Sequence, residues 1–113
     1  MSKDNSEPLV YRRAYELVLI ICRFVKDLSP NYRNSIGLIL QKEALNFIHS
    51  VYNIRASEDK KLAILKSTSS LYFMRTIVSL LLDLNAMKLE TNVLINEHLE
   101  KSLSQLSAWQ KNC

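Results

Sequence analysis

The chain has 113 residues, 48% of them apolar and 23% charged, with a formal net charge of +4. That is one domain's worth of sequence, and its apolar content excludes disorder as the main state. It holds one glycine and two prolines, too few for the tight turns of a sheet protein or for glycine-rich phosphate loops. An all-α domain is therefore expected, and a nucleotide-driven enzyme is not.

Residues 1–7 read as a polar, flexible tail, and residues 8–113 as the folded domain. With Ser6 as cap and Pro8 in the opening turn, a first helix carries Val10, Ala14, Leu17, Ile21, Phe24 and Leu28. Their spacing alternates between four and three, a heptad seam. Ser29-Pro30-Asn31 ends this helix. A second helix runs from about Tyr32 to Arg55, with Ile36, Leu40, Phe47, Val51 and Ile54 on one stripe; Leu38, Ala44, Leu45, Ile48 and Tyr52 widen it. Ser57 followed by Glu58 and Asp59 marks the start of a third helix reaching to about residue 84. Asn85-Ala86-Met87-Lys88 is the last break. A fourth helix from Leu89 to Gln110 carries Ile95, Leu99, Leu103, Leu106 and Trp109. Long helices with short links predict an antiparallel up-down-up-down four-helix bundle.

The third helix has two apolar stripes about 180° apart. Leu62, Leu65, Ser69, Tyr72, Phe73, Thr76 and Leu80 are expected to face the bundle. Ile64, Leu71, Val78 and Leu82 then form an outer stripe, which predicts an oligomer interface.

Little points to catalysis. His49 and His98 stand on different helices with no metal-ligand spacing around them. Glu43, between Leu40 and Phe47, reads as a bundle-edge carboxylate. No nucleophile stands beside a base, so no enzyme activity, metal, cofactor or small-molecule substrate is expected. Cys22 and Cys113 form no disulfide framework. The polar start and the lack of a long apolar run predict a cytoplasmic protein with no membrane partner.

The basic residues are the better lead. Arg12, Arg13, Arg23 and Lys26 lie on the first helix, Arg33 at the entry to the second, and Lys60 and Lys61 in the opening turns of the third. Gathered on one wall, and multiplied by oligomerisation, they would attract phosphates. The i,i+4 pairs Arg12–Glu16 and Arg23–Asp27 offer a purely structural use for two of them. Arg75 borders the outer stripe of the third helix, placed to meet a partner or a ligand.

Over residues 8–110 the chain resembles the Avd-like four-helix-bundle family. These are the accessory variability determinants of diversity-generating retroelements, related to small bundle proteins encoded in ribosomal RNA intervening sequences. The stretch from Pro8-Leu-Val-Tyr-Arg-Arg-Ala-Tyr-Glu-Leu to Leu28-Ser-Pro-Asn-Tyr-Arg33-Asn-Ser-Ile-Gly37 carries most of the likeness. Gln41-Lys-Glu-Ala-Leu45, the Leu71-to-Leu82 run with Arg75, and Trp109 add to it. Where the family often has a glycine pair before that tryptophan, this chain has Ser107-Ala108. The resemblance implies a non-enzymatic homopentameric barrel of bundles whose basic surface associates with a reverse transcriptase and with RNA or DNA. An oligomeric bundle that binds only protein is the competing expectation.

Overall fold

The computed structural model describes the backbone from residue 6 and the side chains from residue 9 to residue 113. The tail expected at residues 1–7 falls outside this at residues 1–5, while Ser6 and Glu7 already belong to the first helix. There are four long helices, α1 (Ser6–Lys26), α3 (Ile36–Asn53), α4 (Lys60–Asp83) and α5 (Leu89–Lys111), and a one-turn helix, α2 (Pro30–Arg33). Among the described residues there is no strand. The helices pack as α1 on α3, α3 on α4, α4 on α5 and α5 back on α1. This is the expected four-helix bundle, a rod of 46 × 23 × 19 Å. Because α1 and α4 share both neighbours, they stand at diagonal corners.

The core follows the sequence closely on three helices. Val10, Ala14, Leu17, Ile21, Val25 and Leu28 of α1 are buried, as are Leu40, Ala44, Phe47, Val51 and Ile54 around α3. From α5 come Ile95, Leu99, Leu106 and Trp109. Of the residues expected to widen the α3 stripe, Ala44 joins the core and Ile48 packs against it, while Leu38, Leu45 and Tyr52 are exposed. Tyr11 closes one end of the rod, its ring edge-to-face with Tyr52 at 5.0 Å and with Trp109 at 6.2 Å between centroids.

The connections explain the helix limits. The second helix expected from Tyr32 is two elements, because Ser35 adopts φ −128° and ψ −99° and breaks the ladder. Beyond that corner Gly37 is buried against α2. A Cβ there would stand 2.6 Å from Leu28 Cδ1 and 2.8 Å from the Tyr32 carbonyl oxygen. The cap of α4 is Asp59 and not Ser57. Asp59 Oδ1 accepts from the Leu62 amide at 3.0 Å, while Ser57 Oγ donates to the Asn53 carbonyl at 2.8 Å. At the far end of α4, Asn85 takes φ 60°. The Ala86 amide donates to Leu81 O and the Asn85 amide to Leu82 O, the paired bonds of a Schellman stop.

Candidate interaction surface

Helix α4 lies the other way round from its expected orientation. Ile64, Leu71 and Val78, expected on the outside, are fully buried, and Leu82 is half-buried. They complete a seam with Ser67, Met74, Ile77 and Leu81. Ile64, Leu71 and Val78 therefore build the monomer's core and are not its interface, while Leu82 lies at the edge of that seam. The stripe expected inside is the one that faces solvent: Leu62 46%, Leu65 58%, Tyr72 53%, Phe73 47% and Leu80 44% exposed. Ser69 and Thr76 lie exposed between them.

Polar residues on neighbouring helices set this rotation. Ser67 Oγ and Ser50 Oγ of α3 lie 2.6 Å apart, and Ser70 Oγ donates to Glu43 Oε2 at 2.5 Å. On the other flank Asn92 of α5 donates to the Val78 carbonyl at 3.4 Å. An inward Tyr72 would have to find a buried partner for its hydroxyl, whereas Ser67 also satisfies itself on the Ala63 carbonyl at 3.2 Å. The aliphatic seam with small polar members is thus the cheaper one to bury.

The expected basic residues do not converge on one surface. Arg12, Arg23 and Lys26 are exposed along the outer side of α1. Arg13 is half-buried and pairs with Glu16 at 3.4 Å, taking the partner expected for Arg12. Among the described residues no ion pair joins Arg23 to Asp27. Arg33 Nη1 donates to the Leu28 carbonyl at 3.2 Å and so braces the α1–α2 corner. Lys60 and Lys61 stand in the first turn of α4, at the opposite end of the rod from Lys26 and Arg33. Arg75 pairs with Glu100 of α5 and lies 5.5 Å from the centroid of the Tyr72 ring. That pair spans an open groove of about 450 Å³ between α4 and α5.

The candidate catalytic groups are likewise held apart. His49 is exposed and hydrogen-bonded to Asn53 at 3.3 Å, and Glu43 is engaged with Ser70. Among the described residues no three of His, Cys, Asp and Glu gather as a metal would require. His98 is one of two groups among the described residues whose titration the fold shifts. Burial holds its imidazole below the usual histidine range, and Lys101 and Arg13 push the same way against Glu16 and Glu97. Its Nδ1 is buried with no partner among the described residues. Burial also raises the Cys22 thiol. No helix among the described residues is long and apolar enough to cross a membrane.

No family model, no curated protein and no solved structure matches this chain. The bundle has an apolar outer wall on α4 and, at the diagonal corner, a wall on α1 carrying Arg12, Arg23 and Lys26.

Proposed function

We propose that this chain is a non-enzymatic, self-associating helical bundle acting in the accessory role that the Avd-like resemblance implies, beside a reverse transcriptase and its nucleic acid in the cytoplasm. The observation that carries self-association is the outer wall of α4. Five large apolar side chains, each close to half exposed, run the length of one helix directly opposite its buried seam. Single exposed apolar residues are ordinary, but a continuous apolar wall marks an interface. The resemblance implies five copies in such an assembly.

The diagonal placement of α1 supports the second half of the reading. Copies joined through α4 would carry Arg12, Arg23 and Lys26 outward, and each added copy multiplies the field those cations project. Binding through them would weaken steeply with salt, because it depends on displacing counterions from phosphates. Titration of labelled RNA and DNA at about 50 mM salt tests this. Binding that Arg12→Glu with Arg23→Glu abolishes supports it, and absence of binding by the wild-type chain contradicts it.

A second reading, a module that binds protein alone, is favoured by one observation. Arg13, Arg33 and Arg75 are engaged with Glu16, Leu28 and Glu100, which leaves a smaller free cationic surface than the sequence promised. Under it the Arg12 and Arg23 variants retain full function.

A further inference from the structure

We propose that the face between α1 and α3 binds single-stranded nucleic acid, its bases stacked on Tyr15 and Tyr52 and its phosphates held by Arg12, Lys26 and Lys42. The inference rests on the nucleic-acid half of the proposed function and names the strand form and the surface.

The first argument is placement. Tyr11 meets Tyr52 edge to face with 5.0 Å between ring centroids, so these two rings mark the flanks on which α1 and α3 touch. At about 100° per residue, Tyr15 and Lys26 follow Tyr11 within about 60° and Arg12 within about 100°, turning from the α3 contact towards solvent. On α3, Leu38, Leu45 and Tyr52 stand seven residues apart in one stripe. Glu43 and Ser50, which meet α4, lie about 150° round from that stripe, and Lys42 borders its outer edge. Tyr15, Leu38, Leu45 and Tyr52 are all exposed, the two tyrosines by more than half. Arg12, Lys26 and Lys42 are exposed as well, and none of them forms an ion pair among the described residues. The two helices run antiparallel, with Tyr11 beside Tyr52 at one end and Leu28 beside Gly37 at the other. Tyr15 therefore stands about one turn along the rod from Tyr52, and Lys26 is level with Leu38, about 21 Å from the Tyr52 end.

The second argument is charge. Every described side-chain carboxylate of α1, α3 and the link that follows is turned elsewhere. Glu16 pairs with Arg13 and acts on His98 of α5. Asp27 borders a hollow with Lys88 and Thr91 at the opening of α5. Glu43 accepts from Ser70 of α4, and Glu58 and Asp59 border a hollow with Leu62 and Lys66 on the α3–α4 side. The face is thus aromatic and aliphatic surface edged by cations alone, which favours an anionic occupant. Exposed rings set between cations suit unpaired bases, since a ring stacks any base while the cations follow the backbone. A duplex hides its base faces and would use the cations only. The face shares no residue with the α4 wall proposed for self-association.

Fluorescence anisotropy with labelled oligo-dT of about 12 nucleotides, and with a duplex of the same length, tests the assignment at about 50 mM salt. The wild-type chain should bind the single strand about tenfold more tightly than the duplex. Tyr15→Ala and Tyr52→Leu should each weaken oligo-dT binding about tenfold and leave duplex binding unchanged, while Tyr15→Phe, which keeps the ring, should bind as the wild type does. Lys42→Gln should lower the salt slope of oligo-dT binding by about one. Circular dichroism confirms that each variant keeps its helices. Equal affinity for the two forms, or tyrosine variants that hold oligo-dT as tightly as the wild type, overturns the stacking face and leaves nucleic-acid binding through Arg12 and Arg23 standing. Poly-glutamate that displaces the label as readily as unlabelled oligo-dT assigns the face to an acidic protein, and a Tyr15→Ala chain that loses assembly mass in place of affinity assigns it to a second copy. Either result overturns the proposal. A wild-type chain that binds neither form overturns the nucleic-acid reading as well.

Discussion

Gly37 lies so close to Tyr32 that a methyl group on its Cα would stand 2.8 Å from the Tyr32 carbonyl oxygen, inside any real carbon–oxygen contact. The second obstacle, Leu28 Cδ1 at 2.6 Å, is the tip of a side chain and can move; the carbonyl belongs to α2 and cannot move alone. Alanine in place of a helical glycine ordinarily stabilises by up to about 1 kcal/mol. Here Gly37→Ala should instead destabilise by about 1–3 kcal/mol, the usual cost of overpacking. Urea denaturation of the two proteins checks the sign.

The two candidate caps of α4 make opposite predictions. Asp59→Ala removes the acceptor for the Leu62 amide and should cost about 1 kcal/mol. Ser57→Ala removes only a hydroxyl bonded back to the preceding turn and should cost a few tenths of that. Paired thermal melts distinguish the two residues.

Asn85 is the one described non-glycine residue at positive φ. Asn85→Gly should be neutral or slightly stabilising, and Asn85→Ala should lose about 1 kcal/mol, because a Cβ is disfavoured in the left-handed region and asparagine tolerates it best. The unfolding midpoints of the three proteins should fall in the order glycine or asparagine first, alanine last.

His98 gives the fold a pH dependence whose sign follows from its depressed folded value. Well above pH 6.5 the imidazole is neutral in both states and stability is unaffected by it. As pH falls below that value the unfolded chain takes up the proton first, so the folded state loses stability down to the lower folded value. The urea midpoint of the wild-type chain should therefore drop as pH falls through and below about 6.5, and His98→Gln should drop less. Equal slopes would show that His98 titrates alike in both states.

How much of this was legible in the sequence differs by helix. On α1 the apolar seam is bordered by Arg12, Arg23 and Lys26, so spacing alone assigned its faces correctly. α4 offers two apolar faces, and periodicity cannot rank them. What ranks them is Ser67 meeting Ser50, Ser70 meeting Glu43 and Asn92 meeting Val78, contacts between residues 14 to 27 positions apart that no local pattern reports. The expectation that one side of this helix is left uncovered survived, with its residues exchanged. Leu71→Glu or Val78→Glu would place a charge in the core and unfold the monomer. The scatter of the basic residues was also hidden. Arg33 and Arg75 differ from Arg12 only by the acceptors that folding brings to them.

The most direct measurement is the solution mass of the wild-type chain beside that of the Leu65→Glu, Phe73→Glu double variant, by size-exclusion chromatography with light scattering. Both residues are exposed, so the variant keeps its core and its helical circular dichroism. The wild-type protein should appear at a multiple of 13.1 kDa and the variant at 13.1 kDa itself. A wild-type chain that stays at 13.1 kDa at the highest attainable concentration would contradict the account.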